Sequence, residues 1–201
     1  MTAMRPSDYV INVVLSAVII VGAYQFYFWC QRNALFEARE LGTSVDDLIP
    51  FAPGWVWVYS LLYYPTILYV NLVLTSPGQF TQVASSYMLL LALQLPCFLA
   101  FPVSTPRRWR VGSGGRTLSE RFLAFVQRFD APSNSFPSMH TSVAMLTALH
   151  LYDRHGSATL AFPVLIGLSC LFTKQHYLVD IPAGAALGWV AHRLFEALIA
   201  A

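Results

Sequence analysis

The chain is poor in charged residues. Asp, Glu, Lys and Arg make up 11% of its 201 residues, whereas hydrophobic residues make up 56%. A soluble domain carries about 25% charged residues, and the mean hydropathy here is +0.54. Too few charges remain to cover a water-facing surface. The composition therefore excludes an ordinary soluble globular protein and predicts an integral membrane protein.

Cysteine and lysine are scarce too. The three cysteines, Cys30, Cys97 and Cys170, all lie in apolar runs and form no close pair. This pattern provides neither a disulfide framework nor the ligand spacing of a structural zinc site, so we interpret all three as small buried apolar residues. The only lysine is Lys174, and the net charge of +2 says little about binding partners.

The chain contains six apolar runs. A bilayer crossing needs about 20 mainly apolar residues; the first three runs meet this requirement, and the last three are less clear. The runs cover residues 9–30, 51–74, 83–103, 139–152, 158–173 and 181–200. We predict an all-α polytopic membrane protein in which residues 1–201 form one domain, a bundle of six transmembrane helices. The first run is too long for a signal-peptide core, and we expect it to be retained.

A short amphipathic segment lies between the third and fourth runs, at residues 117–129. Thr117 and Glu120 match a helix capping box. The apolar side chains that share one helical face are Leu118, Phe122, Phe125, Val126 and Phe129. We predict a short helix here, between transmembrane helices 3 and 4, lying in the membrane interface. A helix packed on the bundle would produce the same pattern, and the sequence leaves that alternative open.

The basic residues gather on one side of the predicted bundle. With six crossings, the loops at 31–50, 104–138 and 174–180 share a side, and they hold most of the Lys and Arg residues. The positive-inside rule would make this side cytoplasmic. An anion-binding site would gather the same cations, so the orientation stays open.

Two polar motifs border the apolar runs on this basic side. "SFPSMH", residues 135–140, precedes the fourth run, and "TKQHYLVD", residues 173–180, precedes the sixth. Pro137 and Ser138 are typical of a helix start, where free backbone N–H groups attract an anion. We therefore expect His140 at the N-terminus of a helix, beside backbone N–H groups that favour the binding of an anion.

The second motif combines an imidazole with a carboxylate. His176 and Asp180 are four residues apart, which brings them together on a helix or in a turn that enters one. A carboxylate fixes the tautomer of an imidazole and raises its basicity, as a histidine nucleophile or base requires. Lys174, Arg107 and Arg108 are expected phosphate partners. A capping histidine would explain the first motif on its own, and a local hydrogen bond would explain the second. Ionisable groups clustered at membrane depth nevertheless indicate a functional site.

The motifs resemble those of a known family. "PSMH" resembles the Pro-Ser-Gly-His motif of the type-2 phosphatidic acid phosphatase superfamily, and "HYLVD" resembles that family's last motif. The resemblance implies that His176 attacks phosphorus and forms a phosphohistidine, that Asp180 orients it, and that His140 protonates the leaving oxygen. It also implies that Ser138 and the basic residues hold the phosphoryl oxygens, and that no metal or other cofactor takes part.

Three positions depart from the family pattern. Met139 replaces the motif glycine, Cys170 occupies the place of an arginine, and "FPVSTPRR" (101–108) stands where a lysine followed by Arg-Pro is expected. These departures resemble the branch that contains inositol-phosphorylceramide and sphingomyelin synthases, which move phospho-head groups between lipids.

The sequence thus predicts a cell-membrane enzyme that cleaves or transfers the phosphate of a lipid. Its expected partners are the lipid phosphate and the bilayer, with no nucleic acid. The acceptor, water or an alcohol, and the oligomeric state stay open. One alternative is a metal-dependent hydrolase with His140, His176 and Asp180 as a two-His, one-carboxylate site. Another is a non-catalytic scaffold or transporter, because Cys170 is uncharged and stands where the family pattern has a cationic arginine.

Overall fold

A computed structural model describes residues 4–110, 115–129 and 132–200. These residues fold into helices and connecting loops, with no strand among them and one isolated bridge between Arg39 and Val103. The α-helices are α1 (Pro6–Arg32), α2 (Ser44–Leu48), α3 (Tyr63–Val73), α4 (Pro77–Ala100), α5 (Leu118–Phe129), α6 (Met139–His155), α7 (Ala161–Phe172) and α8 (Asp180–Ala200). Short 3-10 turns cover Pro53–Trp55, Arg107–Trp109 and Gly156–Leu160, and a π-turn covers Val58–Leu62. The all-α prediction is confirmed.

Four helical segments in the described ranges are long and apolar enough to span a membrane. They are Pro6–Arg32, Pro53–Val73, Pro77–Ala100 and Met139–Phe172. The last of these contains both α6 and α7, joined by a 3-10 turn, and α8 does not belong to the set. All six predicted apolar runs are therefore largely helical, whereas the number of crossings stays a prediction.

The helix α6 lies at the centre of the bundle, where it contacts α3, α4, α7 and α8. Its N-cap is Ser138, whose Oγ accepts a hydrogen bond from the Thr141 N–H at 3.3 Å. Ala144, Leu146 and Ala148 are fully buried along its length. Because α6 begins at the first motif, the packing of the core also fixes the position of His140.

Two glycines bring α8 close to α6. Gly184 and Gly188 are four residues apart, the small-xxx-small spacing that lets membrane helices approach closely. A Cβ atom at Gly184 would overlap the Ser138 carbonyl oxygen, and one at Gly188 would overlap the Ser142 carbonyl oxygen. Only glycine permits this approach, which places the start of α8 against the start of α6.

The amphipathic segment forms α5, and its N-terminus has the expected capping box. The Thr117 N–H donates to Glu120 Oε2 at 3.0 Å, and the Glu120 N–H donates to Thr117 Oγ1 at 3.2 Å. These two bonds satisfy backbone and side-chain groups that a bare helix end would leave without partners.

One side of α5 packs on the bundle and the other is exposed. Leu123 is fully buried, and Phe122 stacks on Trp57 with ring centroids 4.8 Å apart. The exposed apolar side chains of α5 are Leu118, Phe125 and Phe129. The helix therefore contacts the bundle and still presents apolar rings outward, as an interfacial helix would; its location in the interface stays a prediction.

The number of crossings can be measured by labelling in oriented vesicles. With Cys30, Cys97 and Cys170 replaced, we expect single cysteines introduced at Arg116 and Ser157 to react with a membrane-impermeant maleimide from opposite sides. Both positions are exposed. Protection of the Ser157 position within the bilayer would support four crossings, and labelling of both positions from one side would contradict the six-helix prediction.

The close approach of α8 to α6 makes Gly184 sensitive to a single methyl group. We expect Gly184→Ala to lower the free energy of unfolding by about 1–3 kcal/mol, the usual cost of overpacking, because the Cβ must displace the Ser138 backbone. The matched control is Gly22→Ala on α1, where a Cβ meets nothing within 4 Å. Thermal unfolding in detergent measures both variants, and equal midpoints would refute the close-packing argument.

Candidate active site

The two motifs are joined through their backbones. The Ser138 N–H donates to the Asp180 carbonyl oxygen at 3.1 Å. Ser138 caps α6 and Asp180 is the first residue of α8, so this bond connects the N-terminal ends of the two helices. Residues that are far apart in the sequence thereby share one site.

His176 lies in the turn before α8 and is only 7% exposed. Its Nδ1 is 2.9 Å from the Ser135 carbonyl oxygen and 3.2 Å from Oδ2 of Asp180. A carbonyl oxygen can only accept a hydrogen bond, so the proton of the neutral ring belongs on Nδ1. The lone pair of Nε2 is then directed towards Ser138, whose Oγ is 3.3 Å away.

Asp180 supports His176 from behind. Its carboxylate is fully buried, and Oδ2 also accepts the Tyr177 N–H at 2.9 Å. The other oxygen, Oδ1, has no hydrogen-bond partner among the described residues. Since the carboxylate lies on the Nδ1 side of the ring, it orients His176 and leaves the Nε2 side to other groups.

His140 is held in the first turn of α6 by two tyrosines. Its ring centroid is 4.4 Å from that of Tyr59 and 5.0 Å from that of Tyr63, and its Nδ1 lies 3.4 Å from the Tyr59 hydroxyl. Tyr59 belongs to the π-turn, a feature often found at functional sites. The His140 and His176 rings are 6.0 Å apart, centroid to centroid, so the two imidazoles border a common space.

Cys170, which stands where the family pattern has an arginine, belongs to the same cluster. It is fully buried near the end of α7, as a small apolar residue would be. Yet one ligand atom from each of His140, Cys170 and His176 lies within 4.8 Å of the others. In the described part of the chain, the group that converges in this way contains Cys170 and not Asp180, unlike the two-His, one-carboxylate site considered from the sequence.

Arg107 and Arg108 line a hollow of about 490 Å³. Its other lining residues are Glu40, Ser104, Thr105, Pro106 and Pro132. The Arg108 guanidinium is 3.5 Å from a carboxylate oxygen of Asp47, and both side chains are largely exposed.

The same loop reaches towards the motifs. The Ser104 carbonyl oxygen accepts the Tyr177 hydroxyl at 2.9 Å, and the Val103 carbonyl oxygen accepts the Ser135 N–H at 3.0 Å. The loop that carries the two arginines is therefore hydrogen-bonded to the residues beside His176.

Lys174 is engaged outside this cluster. Its Nζ donates to the Asp46 carbonyl oxygen at 2.6 Å and lies 4.8 Å from the centroid of the Trp109 ring. Burial lowers the pKa of the ammonium group, and the carboxylates of Asp47 and Asp46 oppose that shift. The helix α7 ends at Phe172, and Lys174 itself has a positive φ of 58°. Lys174 therefore does not lie one helical turn beyond Cys170, as a continuous helix would have placed it.

Two apolar cavities open on the histidines. One, of about 90 Å³, lies between α1, α3 and α4, and both His140 and His176 line it. The other, of about 460 Å³, lies under α5 and also reaches His140. Apart from the histidines, the first is lined by residues that include Ile19, Ala23, Ile67, Val83 and Leu91, and the second by residues that include Phe28, Leu61, Phe122, Phe125 and Val126.

Comparison with known proteins gives the family of the chain. The family model of the PAP2 superfamily matches residues 34–194, a range that contains both motifs. A protein of Methanocaldococcus jannaschii (strain ATCC 43067 / DSM 2661 / JAL-1 / JCM 10045 / NBRC 100440), named "Uncharacterized protein MJ0662", is 31% identical over 67 residues, which cover 32% of this chain and 28% of that protein. No solved structure matches.

The family match extends over most of the chain and includes Ser138, His140, His176 and Asp180. Together with four apolar helices of membrane-spanning length, it identifies an integral membrane protein. The chain belongs to the PAP2 superfamily.

Proposed function

We propose that this protein is a membrane enzyme that hydrolyses or transfers the phosphate group of a lipid phosphate, with a phosphohistidine at His176 as the intermediate. Membership of the PAP2 superfamily indicates phosphatase-type activity on lipid phosphates. The observation that carries the finer proposal is the orientation of His176. Ser135 and Asp180 hold its Nδ1, while Nε2 is directed towards the side on which Ser138 lies.

In the first step, the Nε2 lone pair of His176 attacks phosphorus. An N–P bond forms while the P–O bond to the lipid breaks, and protonated His140 donates its proton to the leaving oxygen. The His176 ring becomes positively charged as it gives up the lone pair. The carboxylate of Asp180, 3.2 Å from Nδ1, stabilises that charge.

In the second step, an acceptor hydroxyl attacks the phosphohistidine. Neutral His140 takes the proton of the acceptor, the N–P bond breaks, and both histidines return to their starting forms. Water as the acceptor yields a phosphatase, and a lipid alcohol yields a phosphotransferase. The resemblance to the sphingomyelin synthase branch supports the second, and the cell membrane is the proposed location.

The phosphoryl oxygens are proposed to lie at the mouth of α6. Charge in phosphoryl transfer spreads over the equatorial oxygens, so fixed donors and cations supply most of the catalysis. Free backbone N–H groups at a helix N-terminus favour an anion, and the Ser138 hydroxyl lies beside them. Arg107 and Arg108 supply guanidinium groups suited to bidentate contact with phosphate, from a loop hydrogen-bonded to the turn of His176.

The apolar cavities favour a lipid as the substrate. His140 lines both cavities and His176 lines one of them. A hydrocarbon chain in the first cavity would place its attached phosphate beside both imidazoles, and a chain in the second would place it beside His140. A polar soluble phosphate ester would gain no binding free energy from the apolar side chains that line these cavities. This arrangement lets a lipid react while its chains remain in an apolar environment.

One observation favours a non-catalytic scaffold or transporter as a second candidate. Cys170 brings a thiol instead of a cation to the imidazole cluster, and the ammonium of Lys174 is bound to the Asp46 carbonyl oxygen. Release of product from a panel of lipid phosphates by the pure protein in detergent separates the two functions. Turnover of any member supports the enzyme, and turnover that survives EDTA rejects the metal-dependent alternative.

The covalent intermediate predicts a specific label. Wild-type protein that is quenched during turnover of a ³²P-phosphate-labelled lipid should retain an acid-labile, base-stable label. His176→Ala should carry none, and its turnover should fall by about 100-fold or more, because the nucleophile is lost. The control is His155→Ala at the far end of α6, where the ring bonds Tyr69, and this variant should keep the label. Label that persists in His176→Ala would assign the nucleophile to another residue.

Substitution of Lys174 distinguishes a positioning role of this residue from direct phosphate binding. Its ammonium connects the turn of His176 to the Asp46 carbonyl oxygen, so we expect Lys174→Gln to lower the thermal midpoint and kcat together. The inhibition constant of inorganic phosphate should change by less than about twofold, since the charge-assisted bond to phosphate was absent before the substitution. Lys174→Arg should recover part of both losses.

Direct phosphate binding by Lys174 predicts a different result. A charge-assisted hydrogen bond to phosphate contributes about 1.5–3 kcal/mol, so its loss would raise the inhibition constant of inorganic phosphate by about 10- to 150-fold. Such an increase, with an unchanged thermal midpoint, would refute the positioning role and restore Lys174 to the phosphate site.

A further inference from the structure

We infer that His140, Cys170 and His176 form a binding site for a thiophilic divalent metal ion, Zn²⁺ above all, and that the bound ion inhibits the enzyme. The site would be inhibitory because the ion takes the Nε2 lone pair with which His176 would attack phosphorus. Metal binding follows from the cluster itself, whereas the inhibition rests on the proposed function.

The first support is convergence. One potential ligand atom from each of the three residues lies within 4.8 Å of the other two. Around a tetrahedral zinc ion with two nitrogen ligands and one sulfur ligand, neighbouring ligand atoms are about 3.3–3.6 Å apart. The ligand atoms therefore need to approach one another by at most about 1.5 Å, which small changes of side-chain torsion provide.

The second support is the hydrogen bonding behind His176. Metal-binding imidazoles usually donate their other N–H to a carboxylate or a backbone carbonyl, which fixes the tautomer and raises the basicity of the ligand nitrogen. His176 has both kinds of partner on Nδ1, the Ser135 carbonyl oxygen at 2.9 Å and the Asp180 carboxylate at 3.2 Å. The orientation that suits a nucleophile equally suits a metal ligand.

The ligand set selects the metal. One thiolate and two imidazoles match Zn²⁺ and other soft or borderline ions, whereas Mg²⁺ and Ca²⁺ prefer oxygen ligands. On binding, the Cys170 thiol gives up its proton to the solvent and sulfur bonds to the metal, while the imidazoles bind through neutral nitrogens. Three protein ligands leave the fourth position to water or to a phosphoryl oxygen.

Cobalt(II) tests the site without reference to catalysis. Titration of the purified full-length protein in detergent with Co²⁺ should produce a thiolate-to-cobalt charge-transfer band in the near ultraviolet, and Zn²⁺ should remove it. Cys170→Ala should abolish the band. Cys97→Ala, which removes a free cysteine located on α4, should retain it. Absence of the band in the wild type, or its persistence in Cys170→Ala, would overturn the site.

A second variant covers the case in which Cys170→Ala does not fold. His176→Gln removes one nitrogen ligand and keeps the thiol, so it should weaken Co²⁺ binding by at least the roughly 10- to 100-fold that loss of a supporting residue costs at metal sites. Unchanged Co²⁺ affinity in this variant would overturn the site.

Activity assays then test inhibition separately. If the wild type turns over lipid phosphate, Zn²⁺ should inhibit it, EDTA should reverse the inhibition, and Cys97→Ala should respond in the same way. Turnover that is insensitive to Zn²⁺ at concentrations that displace Co²⁺ would overturn the inhibitory role. A cobalt band in a protein without turnover would leave the metal site standing and refute the proposed function instead.

Discussion

The site depends on the contact between the first turns of α6 and α8. The Ser138 N–H bonds the Asp180 carbonyl oxygen at 3.1 Å, and Gly184 lies directly against the Ser138 backbone. A side chain at position 184 would force the helices apart and stretch that hydrogen bond. Because Asp180 orients His176 and Ser138 faces it, a glycine without any chemical role controls the distance between the groups that have one. Close helix packing, which in membranes relies on small residues, would in this way become a geometric requirement of the proposed catalysis.

Burial of so many polar groups is unfavourable unless each finds a partner. His176, Asp180 and Ser138 are all buried. Asp180 accepts a hydrogen bond from the Tyr177 N–H and His176 donates one to the Ser135 carbonyl oxygen, so most of their hydrogen-bonding groups have partners. The exception among these three residues is the buried Oδ1 atom of Asp180, which lacks a hydrogen-bond partner among the described residues. A carboxylate with an unsatisfied oxygen is stabilised most when the neighbouring imidazole becomes positively charged, and the proposed phosphohistidine would produce that charge.

The sequence predicted the helical fold and indicated His140, His176 and Asp180, because their signals are local: apolar runs, a helix start, and a spacing of four residues. Cys170 and Lys174 show where local reasoning ends. A cysteine in an apolar run looks the same whether it contacts lipid, core or an imidazole. The family pattern aligned position 170 with a motif arginine, but the convergence of the Cys170 thiol with the two imidazoles comes from the packing of α7 against α6. The end of α7 at Phe172 and the positive φ of Lys174 turn its side chain towards Asp46, a consequence of tertiary contacts that helical periodicity does not encode.

In the proposed function, the polar and apolar surfaces around the imidazoles suggest how a lipid phosphate would be oriented. The arginine-bearing hollow adjoins the loop bonded to Tyr177 and Ser135. One apolar cavity opens on both histidines, whereas the cavity under α5 opens on His140 and not on His176. With a hydrocarbon chain in the cavity under α5, the chain would extend past His140, and the charged phosphoryl oxygens would face the arginines and the N-terminus of α6. In that orientation the oxygen between phosphorus and the lipid is nearest to His140. The residue that protonates the leaving oxygen must lie on the lipid side of the phosphorus, and the nucleophile on the opposite side. The cavity under α5 thus favours the proposed division of roles, His140 as the acid and His176 as the nucleophile, which the hydrogen bonds of His176 suggest independently.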